Sequence, residues 1–169
     1  MPAAWETFYF MVGSSSAGLI GLLFVVVTLS ADTTVRRAEI ASKTFVTPTV
    51  FHFGVIFFIS TVAVMPEVPI GAMALAIAVI SFLGVLFAGA VIARLVRGAV
   101  AITHWSDYLF YGALPAVAYV CLIAAAAGLW LDAPFALHGV AAAMLFLLLL
   151  GIRDAWDLAT WLSYHRNDG

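Results

Sequence analysis

Charge is what this chain has least of. Of its 169 residues, 9% are charged and 65% are hydrophobic, whereas a soluble domain carries about 25% charged and about 45–50% apolar residues. A soluble protein of this length cannot enclose so much apolar surface in one core. The sequence therefore predicts an integral membrane protein that is surrounded mainly by lipid. No polar stretch is long enough to form a second domain.

Other residue types and motifs that the sequence lacks exclude several classes of function. Seven Lys and Arg stand against nine Asp and Glu, for a net charge of −2, so no nucleic-acid-binding surface is expected. Cys121 is the single cysteine, which excludes an internal disulfide. The first ten residues hold Glu6 and no Lys or Arg, unlike a cleavable signal peptide. The motifs of nucleotide, protease and serine-hydrolase chemistry are missing, and no cofactor or metal is predicted.

What the chain does have is long apolar runs. A helix needs about 20 residues to cross about 30 Å of hydrocarbon, and five runs of about that length or more can be separated: residues 7–30, 44–65, 70–96, 107–131 and 134–164. They lack the alternation of a membrane barrel. Tight turns are expected at 66–69 and 132–134, because proline cannot continue a helix. The predicted fold is one all-α domain over 1–169, a compact bundle of five transmembrane helices.

The basic residues predict the orientation of this bundle. They follow the first, third and fifth spans, whereas the N-terminus and the other two connections have none; the seven are Arg36, Arg37, Lys43, Arg94, Arg97, Arg153 and Arg166. Positive charge is retained on the cytoplasmic side of membrane proteins. The N-terminus is therefore expected outside and the C-terminus inside. The predicted location is the cell membrane, of the bacterial inner-membrane type or an equivalent.

Small residues recur at helical spacing in the first and third spans, as in Gly13, Ala17 and Gly21. In lipid, such residues let helix backbones approach closely, and this close packing drives association. The spacing favours a compact bundle. The expected partners are the lipid bilayer and further copies of the chain in a homo-oligomer, with another membrane protein as the alternative partner.

Two prolines and two histidines lie within the spans. Pro48 and Pro115 each remove one backbone hydrogen bond and favour a kink. His52 lies one turn after Pro48, so a functional cavity there is one interpretation and an ordinary kink, satisfied by neighbouring helices, is the other. His52 and His138 are expected at opposite depths, which does not fit two ligands of one metal. A lone histidine in a helix is more often hydrogen-bonded to a neighbour.

The densest charge ends the last apolar run, where Arg153, Asp154 and Asp157 fall within five residues. Arg153 and Asp157 are spaced i, i+4 and can pair, which lowers the cost of holding either near lipid. One interpretation is an interfacial anchor whose Arg153 reaches the headgroups. The other is a charge cluster that faces the protein interior at the cytoplasmic mouth. Asp154 and Asp157 could also share a cation such as Mg²⁺, although such spacing is common on solvated helices.

Three functions follow as hypotheses. The first is an oligomeric channel or solute passage, with Phe146 and Leu150 as its constriction and the charges of the last span at its mouth. The second is a non-transporting scaffold or assembly subunit that packs against another protein's membrane helices. The third, with less support, is a membrane enzyme that acts on lipid headgroups through Arg94, His104 and the two aspartates.

Overall fold

The computed structural model describes residues 3–29, 47–96 and 108–165, and across these ranges the chain is helical with two tight turns and no strand. The helices are α1 Ala3–Leu29, α2 Thr47–Val64, α3 Ile70–Val96, α4 Leu114–Trp130 and α5 Ala136–His165, and a π-helical turn, Leu109–Ala113, leads directly into α4. Five helical segments of 18 to 27 residues are long and apolar enough to cross a membrane. The prediction of an all-helical chain with five such helices is confirmed.

The predicted spans overlap these helices, and residues 30, 44 and 107, at which three of the spans begin or end, lie outside the described residues. Two of the seven basic residues, Arg94 and Arg153, lie in the described ranges, near the ends of α3 and α5. Ile92 of α3 packs against Gly112 before α4, and Tyr111 beside it bonds to Asp157 of α5, so these two ends lie on the same side of the bundle. We call this side, where α3 and α5 finish, the charged end. The orientation of the bundle in a membrane stays a prediction.

The expected turn after α4 is a C-cap of the Schellman type. Asp132 has a left-handed backbone with φ of 53°. Its N–H donates to the Leu129 carbonyl at 3.3 Å, and the next N–H, that of Ala133, donates to the Gly128 carbonyl at 2.9 Å. These two bonds satisfy carbonyls that a helix end leaves without donors. The turn after α2 likewise holds Glu67 at φ of 60°, so each turn reverses the chain within a few residues.

The bundle packs mainly between helices that are neighbours in sequence, and α2 also packs against α5 across its middle. This α2–α5 contact lies at the core, where the largest fully buried side chains include Phe53, Ile56, Ile59, Met144 and Leu147. Gly151 allows the close approach, because a Cβ at that position would lie 2.6 Å from the Phe53 ring. The centre of the described protein is therefore filled with side chains.

The small residues contribute unequally to this packing. In α1, Gly13 lies against Ser60 of α2, where a Cβ would meet the Ser60 Cβ at 2.7 Å. Ala17 and Gly21 of the same predicted stripe are exposed. In α3, Gly84 lies against the ring of Tyr119. Only part of the small-residue pattern therefore marks helix contacts within the chain.

Pro48 and Pro115 differ in what surrounds them. Pro48 is the second residue of the described part of α2, which starts at Thr47. Thr44, four residues before Pro48, lies outside the described residues. Pro115 follows the π-helical turn at the start of α4, and this turn takes the place of a simple kink.

Candidate functional site

The candidate site is built around the charge cluster of α5, which consists of Arg153, Asp154 and Asp157. Asp154 is 0% exposed and faces the interior of the bundle. Neither of its carboxylate oxygens has a hydrogen-bond partner among the described residues. The Nη1 atom of Arg153 lies 3.8 Å from Oδ1 of Asp154, which is an ion-pair distance but too long for a hydrogen bond. The carboxyl group is therefore buried and incompletely paired.

The other two charges of the cluster lie at its edge, where about a third of each side chain is exposed. The Nη2 atom of Arg153 lies 3.4 Å from Oδ2 of Asp157, as the i, i+4 spacing predicts. The Arg153 guanidinium also lies 3.6 Å above the ring centre of Phe110, a cation–π contact. The Tyr111 hydroxyl donates to Oδ2 of Asp157 at 3.0 Å. The start of α4 therefore supplies two aromatic partners to the charges of α5.

The π-helical turn explains how these aromatic residues are placed. Pro115 has no N–H, so the carbonyl four residues earlier, that of Tyr111, cannot receive its α-helical hydrogen bond. The N–H of Leu114 donates to the carbonyl of Leu109, five residues back. Single π-helical turns of this kind occur frequently at functional sites. Here the turn carries both Phe110 and Tyr111, which contact the α5 charges.

A second polar contact lies deeper in the bundle, between α2 and α4. Nδ1 of His52 and the Tyr119 hydroxyl are 2.6 Å apart, and both residues are buried. The other ring nitrogen of His52, Nε2, is buried and has no hydrogen-bond partner among the described residues. Gly84 leaves room for the Tyr119 ring, since a Cβ there would lie 2.4 Å from it. His52 is thus a hydrogen-bonded histidine of the core with one nitrogen unused.

The remaining predicted site residues do not all come together. Leu150 is 5% exposed and faces the interior one turn before Asp154, whereas Phe146 is 37% exposed on the outside of α5. His138 packs against Trp5 at the end opposite the charged end, with ring centres 4.8 Å apart, so it lies far along the bundle from His52. No group of three potential metal ligands occurs within the described ranges. His104 lies outside them.

Two surface cavities complete the description. An apolar groove of about 520 Å³ runs along the outside of α4 and α5; eight of its twelve lining residues are alanine or glycine, and Cys121 and Phe146 also border it. A second cavity of about 410 Å³ lies at the end opposite the charged end, beside Glu6 and Glu67. The groove presents small residues outward, where lipid or another helix can meet them.

Sequence reasoning missed both tyrosine contacts. His52 and Tyr119 are 67 residues apart in the chain, and no local periodicity relates positions so distant. Tyr111 did carry a signal, because it lies four residues before Pro115 and its carbonyl must lose a helical donor. The position of Gly84 was part of the small-residue pattern of α3, but the pattern does not say which ring it would admit.

The comparisons with known proteins add no relative. No protein-family model, no curated protein and no solved structure matches this chain. The fold alone defines the class, an all-helical chain with five helices fit to span a membrane. Its function has to be argued from the chemistry of the buried polar groups.

Proposed function

We propose that the chain forms a passage for small cations, protons included, across the membrane, and that Asp154 binds the cation at the charged end. The observation that carries the proposal is the buried Asp154 carboxyl group, which receives no hydrogen bond among the described residues. A buried carboxyl group needs a proton, a cation or several donors. Ionisable residues within membrane helices are rare because they are costly, and they mark ion and proton pathways.

The other two residues of the charge cluster, Arg153 and Asp157, support an entrance to the passage beside Asp154. Arg153 and Asp157 are partly exposed, so they connect Asp154 to the surface of the charged end. Because Asp154 faces the interior of its own bundle, we place the path within each protomer, with Leu150 at its constriction. Phe146 faces outward and would border a passage only between protomers. The homo-oligomer expected from the sequence is a separate proposal, tested by particle mass in nanodiscs.

Flux through reconstituted protein tests the proposal. The full chain is placed in liposomes that contain a pH-sensitive dye to report proton entry or a Na⁺-sensitive dye to report Na⁺ entry, and a K⁺ gradient with valinomycin drives cation entry. Asp154→Asn keeps the shape of the side chain and removes its acid group, so we expect cation flux to fall at least tenfold. Asp154→Leu should remove the flux as well and keep or raise thermal stability, because replacing a buried charged group by an apolar one of similar size is often neutral or stabilising.

The matched control is Asp132→Asn, in the exposed turn after α4. Asparagine tolerates the left-handed backbone of that position, so both stability and flux should stay unchanged. Flux of the unaltered protein equal to that of empty liposomes would refute the passage. An Asp154→Asn variant that conducts like the unaltered protein would also refute it.

A scaffold or assembly subunit is the second candidate, and the groove along α4 and α5 favours it. Surfaces of alanine and glycine allow another membrane helix to approach closely. Ala142, which lines the groove, is exposed, so Ala142→Leu would fill the groove without touching the core. The scaffold function predicts that Cys121 cross-links to one defined membrane protein and that Ala142→Leu abolishes this cross-link. Cation flux without such a cross-link would instead favour the passage.

A further inference from the structure

His52, like Asp154, is buried and has an unmet hydrogen bond among the described residues, and its position relates it to Asp154. The ring of Phe53, the residue next to His52, packs on Gly151, so these two positions lie at the same depth. The helices α2 and α5 are antiparallel and rise about 1.5 Å per residue. Asp154 lies three residues closer to the charged end than Gly151, and His52 one residue closer than Phe53. From this ring contact, the two groups lie within about one helical turn of each other in depth.

The groups that face His52 from the packed helices are few. From α4 it meets the Tyr119 hydroxyl, and α3 presents the Phe87 ring, with centres 6.5 Å apart. From α5, the ionisable groups nearest in depth are Asp154 and Arg153. Asp157, three residues after Asp154, accepts a hydrogen bond from the Tyr111 hydroxyl of the π-helical turn that leads into α4, and α4 is also the helix that His52 contacts. The α1 helix contributes the uncharged Ser16, which donates to the Phe53 carbonyl.

We propose that His52 and Asp154 form a proton-binding site in which one proton moves between them, with Tyr119 as the positioning residue. The inference rests on the proposed passage and names its substrate as the proton. In the step, the O–H bond of the Asp154 carboxylic acid breaks and a new N–H bond forms at Nε2 of His52. The products are the Asp154 carboxylate and the His52 imidazolium, and the reverse step returns the proton. The proposal includes one bridging water between the two groups, because buried waters bind to polar groups that have no other partner.

The hydrogen bond to Tyr119 fits this role. Neutral histidine has one N–H and one nitrogen that accepts. When Nδ1–H donates to the Tyr119 oxygen, Nε2 holds a free lone pair and can accept a proton. The same bond is kept in the imidazolium, where both ring nitrogens donate. Tyr119 thus holds the ring in one orientation in both states.

Packing around the pair supports the proton over larger cations. His52 is 1% exposed and Tyr119 0% exposed, and the rings of Phe51 and Phe87 stack beside them with centres 4.3 Å apart. A hydrated metal ion needs a water-sized opening, whereas a proton needs only hydrogen-bonding groups. The inference therefore predicts proton flux and no flux of K⁺ or Na⁺.

The test combines nuclear magnetic resonance with flux. Protein labelled with ¹⁵N-histidine is placed in nanodiscs, and the His52 signals are identified by their loss in His52→Gln. The ¹⁵N shifts distinguish imidazolium from each neutral tautomer. At an acidic pH where His52 is partly imidazolium, Asp154→Asn should lower that fraction at least tenfold, whereas Asp132→Asn should leave it unchanged. Tyr119→Phe should shift the tautomer signals of His52 because it removes only the hydroxyl group.

In liposomes, His52→Gln should lower proton flux at least tenfold, and His138→Gln, a change at the opposite end, should leave it unaltered. Na⁺ flux comparable to proton flux, or full proton flux in His52→Gln, would overturn the inference while the passage stands. If neither the unaltered protein nor any variant shows flux, the proposed passage is refuted. The imidazolium fraction of His52 then tests proton exchange by itself. An unchanged fraction in Asp154→Asn then refutes the exchange.

Discussion

The Tyr119 ring, which contacts His52, packs directly against Gly84 of α3, and this packing is possible because glycine has no side chain. A Cβ at Gly84 would lie 2.4 to 2.6 Å from three atoms of the Tyr119 ring, including the ring atom nearest the backbone. The ring cannot swing aside while that atom is blocked. Gly84→Ala must therefore shift α3 from α4 or expel Tyr119 from its position, and either movement lengthens the 2.6 Å contact to His52.

The expected cost combines two effects. Overpacking a filled core costs about 1–3 kcal/mol, and stranding a buried hydrogen-bonding group costs about 1–3 kcal/mol. Alanine recovers up to about 1 kcal/mol through its higher helix propensity. We therefore expect Gly84→Ala to lower the free energy of unfolding by about 3 kcal/mol, or the melting temperature by about 6–12 °C for a chain of this size.

Unfolding in mixed micelles of a mild detergent and dodecyl sulfate measures this difference. Gly89 provides the matched control in the same helix, because a Cβ there meets nothing within 4 Å; Gly89→Ala should be neutral or slightly stabilising. Adding Tyr119→Val to Gly84→Ala should cost less than the sum of the two changes, since the smaller side chain makes room for the new methyl group. Equal stability of Gly84→Ala and Gly89→Ala would refute the packing on which this reasoning depends.

Two further outcomes are expected. Asp157→Ala should lower the free energy of unfolding by about 0.2–1 kcal/mol, the usual contribution of an exposed pair, because Arg153 then keeps, among the described acidic residues, only the 3.8 Å contact to Asp154. The same change should cost less in a chain that already lacks Arg153, and a double-mutant cycle with zero coupling would make the two residues independent surface groups. In a chain whose native cysteine is replaced, an impermeant reagent added to intact cells should label a cysteine at Glu67 and miss one at Arg37; labelling at Arg37 would contradict the orientation that the basic residues predict.

The helices could be predicted because length and proline act locally. A run of about 20 apolar residues has few alternatives in lipid, where every backbone group must be bonded internally. Pro66, Pro69 and Pro134 end or separate helices whatever surrounds them. Which helices pack against each other could not be predicted in this way. The small residues of α1 recur at one spacing, yet some of them are buried in a helix contact and others are exposed. Which face of a helix is covered depends on all the others.

The candidate site was predictable in composition and not in geometry. The i, i+4 spacing brings Arg153 and Asp157 within 40° on a helix, while Asp154 lies about 100° from Arg153. The sequence could not say which of these directions faces the interior. The rotation of α5, set by the Phe53 ring against Gly151, turns Asp154 inward and leaves the other two at the edge. His52 was expected to bond to a neighbour, and only the folded chain names that neighbour as Tyr119.

The contact between α2 and α5 also has a consequence for the order of events during synthesis. Most helix contacts join segments made one after the other, so they can form as soon as the later segment leaves the ribosome. The α2 face that carries Phe53 has to wait until α5 is made, some 100 residues afterwards. Until then the nascent chain presents an incomplete groove to the lipid or to the insertion machinery. Asp154 enters its buried position only in that last step, so a chain interrupted before α5 would contain His52 and Tyr119 but never the carboxyl group that we propose as their proton donor.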